Sequence, residues 1–174
     1  KPANHLSRAF AVLTEPRDLR RVIPFSEMLR STKISLEKID DPFLNFYFTF
    51  IVPEKSRIDI WLTEQVLKEI KKRMPQYTSA IWEELCRCSV PFIIKDEEFM
   101  LASRWWGKGI DGTPLEIDVV GESVDRKKLL VGESKWTDKA DLVRGAEVLM
   151  KKDANLPFAR NRNILPVLLV KHNP

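Results

Sequence analysis

Apolar residues recur with a helical period through the first half of this chain and with a strand period through much of the second. Phe43, Phe46, Tyr47 and Phe50 fall at i, i+3, i+4 and i+7, the stripe of a core-packing helix. Pro42 suits its first position and Asp41 its N-terminus, and Pro53 should stop it. Ile60 to Met74 reads as a second amphipathic helix with a basic end, Lys71-Lys72-Arg73, closed by Pro75. Thr78 to Ser89 reads as a third, with Ile81, Leu85 and Cys88 on one side. Three strands follow: Phe99 to Trp106, Leu115 to Gly121 and Lys128 to Trp136. Asp138 can cap a helix running to about Lys152. The apolar run Ile164 to Val170 has the texture of a strand buried on both faces. The order α-β-β-β-α-β predicts an α/β fold with a mixed central sheet, its last strand parallel to a neighbour through a right-handed crossover.

The first forty residues differ in texture. Asn4 can cap a helix to about Leu13, and strands are expected at Leu19 to Ile23 and Lys33 to Ile39. That pattern suits the tail of a winged helix, and equally a hairpin stitched onto the next domain. The expected division is a winged-helix remnant or such a hairpin over 1–40, a helical connector over 41–76 and an α/β domain over 77–174.

Composition narrows the classes. With 174 residues, 44% hydrophobic and 31% charged, the chain can bury a core. The formal charge of +4 permits a nucleic-acid partner without demanding one. Cys86 and Cys88, two apart on a helix, cannot pair with each other, and two free thiols suit the cytoplasm. His5 and His172 are too few for a Cys/His zinc site. Phe43 to Val52 is too short to span a bilayer, so no membrane partner is expected. The chain opens on Lys1 without an initiator Met, as a piece of a longer protein would. It has no Gly-x-x-x-x-Gly-Lys-[Ser/Thr] loop, so an ATPase module would have to lie outside it.

The candidate chemistry sits on the second and third strands. Side chains alternate along a strand, so Glu133 and Lys135 share the side of Leu129 and Val131. A hairpin turn near residues 125 and 126 would bring Asp118 opposite Glu133. Two carboxylates that close repel unless a cation lies between them. Mg²⁺ or Mn²⁺ suits carboxylate oxygens, with the Ser134 carbonyl as a further ligand. Such a metal would polarise a phosphodiester and activate water, with Lys135 holding the water or neutralising developing charge. A structural ion-pair patch uses the same residues. Arg104, Trp105, Trp106 and Lys108 form a basic-aromatic cluster able to stack on bases and contact phosphate, although at least one Trp should belong to the core. Trp136 is open to the same two readings. Arg17, Arg20, Arg21 and Arg30 are candidates for phosphate contact, or for a solvated loop.

Asp118 followed by Glu133-Ser134-Lys135 resembles the bipartite motif of the PD-(D/E)XK, restriction-endonuclease-like nucleases. More closely, the chain resembles the C-terminal domain of unknown function in prokaryotic AAA-class ATPases. The matching stretches are Arg21-Val22-Ile23-Pro24-Phe25, Asp41 to Phe48, Trp82-Glu83-Glu84-Leu85-Cys86, Arg104 to Lys108, Glu116 to Val120 and Gly132 to Trp136. The resemblance implies a restriction-endonuclease-like core behind the end of a winged helix, and an attached ATPase. It also implies a further acidic residue on the first core helix, where Glu83 matches and Glu84 is its rival. The implied function is metal-dependent hydrolysis of DNA. The alternative is a catalytically inactive nuclease-fold module that binds nucleic acid or regulates the ATPase.

Overall fold

The computed structural model describes residues 19–27, 34–139 and 141–171. The expected helix from Asn4, and Arg17 and Arg30, lie outside the described residues. The chain divides into two compact units, Lys1–Ile23 with Thr32–Met74, and Pro24–Ser31 with Pro75–Pro174.

In the first unit, β1 (Leu19–Val22) and β2 (Leu36–Ile39) pair antiparallel. Helix α1 (Pro42–Phe46) starts as its sequence requires, with the Asp41 carboxylate accepting from the Leu44 N–H at 2.7 Å. The chain then widens into a π-helical stretch, Tyr47–Ile51, and tightens into a 3-10 turn, Val52–Glu54, before α2 (Lys55–Asp59). The expected aromatic stripe is correspondingly broken. Phe50 is buried, whereas Phe43 and Tyr47 are exposed. A change from 3.6 residues per turn rotates the later positions off the earlier face.

Helix α3 (Thr63–Ile93) runs through Pro75 and Pro91, so the two helices expected on either side of Pro75 are one. A proline removes a single backbone hydrogen bond and crowds the preceding turn. Here, helical sequence continues on both sides, and the division between the two units falls at this proline. The expected core face is also corrected. Cys86 and Val90 are buried, with Trp82 packed beside them, while Ile81, Leu85 and Cys88 are exposed.

The second unit holds a four-stranded mixed sheet in the order β3-β4-β5-β6. The strands are β3 (Ser103–Lys108), β4 (Pro114–Glu122), β5 (Lys128–Lys135) and β6 (Asn163–Val170). The first three are antiparallel neighbours, and β6 joins β5 in parallel after helix α4 (Leu142–Asp153). The chain order is the expected α-β-β-β-α-β. Three expectations shift. Asp141, not Asp138, caps α4, accepting from the Arg144 N–H at 3.0 Å, and Asp138 pairs with Lys171 at 2.7 Å. The first strand begins only at Ser103, with Phe99 forming an isolated bridge to Ser123. Strand β6 is half-buried rather than covered on both faces, because it is a sheet edge. Pro166 is tolerated there for the same reason.

Both faces of β5 carry core. Leu129 and Val131 pack with Ile117, Val120 and Leu149 of α4. Leu130 packs on the other face with Cys86 and Val90 of α3. Gly132 lies between, and a Cβ there would come within 3.1 Å of the Val167 carbonyl oxygen and 3.3 Å of the Val119 Cβ. Gly132→Val should lower stability by about 1–3 kcal/mol, through overpacking of a strand with neighbours on both sides. A urea midpoint unchanged from the wild type would show that the sheet yields at this point.

Candidate functional site at the end of the β4–β5 ladder

The site begins with a bulge. Ser103 pairs with Val120 but Trp105 pairs with Ile117, so Asp118 and Val119 together stand opposite Arg104. The extra residue breaks the alternation of β4. Ile117 and Val120, three apart, join one core cluster, and Val119 joins the other. A bulge leaves backbone groups unpaired and turns a side chain out of the regular pleat. The Asp118 carbonyl is taken by the Arg87 guanidinium of α3 at 2.8 Å. The Asp118 carboxylate accepts from the Ser134 backbone N–H at 2.9 Å and lies 3.3 Å from its hydroxyl. The β4–β5 pairing ends at Val119 and Gly132, so a side chain takes over where the backbone ladder stops.

Glu133 follows Gly132 on β5 and faces α4. Its carboxylate is almost fully buried and is met by two ammonium groups, Lys135 at 3.2 Å and Lys152, which arrives from α4. Lys152 also donates to the Glu116 carbonyl at 3.0 Å. A buried carboxylate needs such partners to remain charged. Glu83 comes from α3, 3.9 Å from Arg87. Burial raises its pKa, and the Asp118 charge raises it further, against the lowering pull of Arg87, Arg104 and Lys135. Glu84, the rival helix acid, instead accepts from Arg87 at 3.0 Å. Cys86, beneath these groups, is pushed up to about 11 by burial and is a neutral thiol.

Glu83, Asp118, Ser134 and Lys135 are thus brought into one electrostatic neighbourhood, and Lys135 links it to Glu133. Arg104 adjoins it on β3, paired with Glu116 and lying 5.7 Å from the centre of the half-buried Trp106 ring. Trp105 is the core tryptophan of this strand, edge-on to Phe158. Trp136 packs against Trp82 and carries Lys171 over its ring. Lys108 is exposed at the end of β3. Arg20 and Arg21 belong to the other unit, where they pair with Asp40 and Glu37 across the hairpin. Three residues that sequence reasoning missed complete the site: Arg87, Lys152 and Asp153. Only Arg87 carried a local signal, its helical spacing from Glu83 and Glu84.

In donor chemistry, Glu83, Asp118 and Glu133 suit a hard divalent ion. In arrangement they give one neighbouring pair, Glu83 and Asp118, because the oxygens of Glu133 are already engaged by lysines. Among the described residues no group of three or more His, Cys, Asp or Glu side chains is disposed to hold a metal. Nor is any described helix long and apolar enough to cross a membrane.

The fold and site define a mixed α/β protein with a polar cluster at the open end of its sheet. The chain belongs to the DUF234 family, described as archaea bacterial proteins of unknown function, whose model matches residues 47–153. It is 30% identical over 136 residues to an uncharacterized protein of Methanocaldococcus jannaschii. That match covers 74% of this chain and 28% of the relative, so the chain spans little more than a quarter of the longer protein. No solved structure matches it.

Asp153, at the end of α4, has its pKa raised to about 6 by burial and then by the charge of Glu133, and its Oδ1 is buried without a hydrogen-bond partner. A carboxyl raised in the folded state binds more protons there than in the unfolded chain. Stability therefore falls as pH rises from about 4 through 6. Asp153→Asn should stabilise the protein by about 1 kcal/mol at pH 7, once solvent screening is counted. The gain should vanish below pH 4. Denaturation midpoints across this range would refute the assignment if the gain were independent of pH.

Proposed function

We propose that the second unit is a nuclease-type domain of the restriction-endonuclease-like class that hydrolyses phosphodiester bonds in DNA with a divalent ion, Mg²⁺ or Mn²⁺. The observation that supports this most is the opened β4–β5 ladder, where Asp118 and Glu83 adjoin, with Arg87 against the Asp118 carbonyl and the Glu83 carboxylate and Lys135 beside them. Asp118 and Glu83 would hold the ion, with Glu133 a further acidic ligand only once freed from Lys135 and Lys152. When bound, the ion supplies charge to polarise the phosphodiester and lower the pKa of water. Lys135 orients the attacking water or offsets charge developing on the phosphate. Arg104, Trp106 and Lys108 line an approach suited to the sugar-phosphate backbone, and Arg87 fixes the bulge that aims Asp118. In a longer protein such a domain would work beside an ATPase module.

One observation favours a second reading, a nuclease-fold module that grips nucleic acid or regulates an attached ATPase without cleaving. Glu133 is already neutralised by Lys135 and Lys152, so the cluster is satisfied without an ion.

Incubation with linear, supercoiled and branched DNA in Mg²⁺ or Mn²⁺ separates the two. On the hydrolytic reading the wild type cleaves, and Asp118→Asn and Lys135→Ala each lose at least about 100-fold in rate. Equal rates in all three proteins sink it. DNA binding without cleavage, and no Mn²⁺ uptake by calorimetry, establish the second reading instead.

A further inference from the structure

A cavity of about 280 Å³ opens between the end of β5 and the first half of α4, lined by Glu133, Lys135, Lys139, Asp141, Arg144 and Val148 among others. Its two acids are already committed. Glu133 is bound to Lys135 and Lys152, and the Asp141 carboxylate caps α4. Two of its three cations are not. Among the described residues, neither the Lys139 ammonium nor the Arg144 guanidinium has an ion-pair partner. The lining therefore carries three cations against two carboxylates, and two of those cations, Lys139 and Arg144, are uncommitted.

We propose that this cavity receives the terminal phosphate monoester of a nucleic-acid strand, so that the domain recognises a strand end rather than an uninterrupted backbone. This rests on the nucleic-acid reading above and specifies its substrate. A terminal monoester carries about −1.5 to −2 near neutral pH, and an internal diester only −1, so the two uncommitted cations, Lys139 and Arg144, favour the end group. Arg144 offers a planar fork for phosphate oxygens and Lys139 a point charge. The volume lies at the lower limit for small-molecule pockets, roughly 300 Å³. It suits one nucleotide and not a duplex, with the Val148 side chain as an apolar wall for the sugar. A phosphate seated here lies next to Lys135 and so beside the proposed hydrolytic centre.

Binding of single-stranded oligonucleotides by fluorescence polarisation, in EDTA without divalent ions, tests this. The ligands carry a 5′-phosphate, a 3′-phosphate or hydroxyls at both ends. The wild type should bind one phosphorylated end about 10-fold tighter than the hydroxyl control, and the two phosphorylated arms identify which end. Lys139→Gln with Arg144→Gln should abolish the difference while binding of the hydroxyl control persists. Equal affinity for all three ligands in the wild type, or a preference that survives in the double variant, overturns the proposal. No cleavage is read, so an end preference in a protein that never cleaves DNA would leave this inference standing and remove the hydrolytic one.

Discussion

One extra residue in β4 organises the candidate site. In an unbroken antiparallel pair, Asp118 would continue the ladder opposite Glu133, and its carboxylate would stand on one face of the pleat. The bulge at Asp118 and Val119 shifts β4 against β3, the β4–β5 pairing stops at Val119 and Gly132, and the polar groups left there find partners. Arg87 takes the carbonyl, and the carboxylate takes the Ser134 amide. These bonds join α3, β4 and β5 at one point. The bulge is also why an even spacing places Ile117 and Val119 in opposite cores. Because unpaired backbone groups in a buried setting cost about 1–3 kcal/mol each, Arg87 and Ser134 hold the strand end open as much as they decorate it.

The second constraint is charge. Strand β5 passes from Leu129, Leu130 and Val131, all fully buried, to Glu133, still nearly buried, before reaching the exposed Lys135. A carboxylate at that depth is stable only with cations against it, and it has them from both directions, two residues along its own strand and from the end of α4. Lys152 lies directly before Asp153, whose carboxyl is raised by burial and by the same Glu133. One glutamate thus adds to the effect of burial on its neighbour's carboxyl and ties the end of a helix to the sheet.

Much of this sheet was legible in the sequence. The alternation in β5, the hairpin register implied by a turn near residue 125, and the parallel last strand after a crossover helix all depend on periods and loop lengths, which are local. The pairing of Lys135 with Glu133 followed from period two alone. What was hidden depends on tertiary context. Nothing in Glu116 to Val120 announces a bulge, since its cause is the match to Arg104 and Ser134 in other strands. Lys152 and Asp153 looked like a helix end, and only the return of α4 across the sheet brings them to Glu133. Pro75 misled in the opposite direction. A proline is a local signal for a helix end, but its cost of about 3 kcal/mol is smaller than what a continuous 31-residue helix can offset. The exposed Phe43 and Tyr47 likewise reflect a π-helical turn that residue spacing does not encode.

The lysines around Glu133 connect the two readings of the site. An acidic cluster built to await a divalent ion would be self-repelling whenever the ion was absent, and the fold around it would carry that cost. An ammonium on a four-carbon stem relieves the repulsion without fixing the geometry, because it is compact, flexible and strongly hydrated once released. Lys152 is suited to this role. It is partly exposed and reaches Glu133 from a separate element, with the Glu116 carbonyl as a second acceptor. On the hydrolytic reading it would be an internal counter-ion for Glu133 whenever no ion is bound; on the non-hydrolytic reading it is the permanent partner of that carboxylate. The two readings therefore differ in whether Glu133 stays committed to Lys135 and Lys152 or joins Asp118 and Glu83 at an ion.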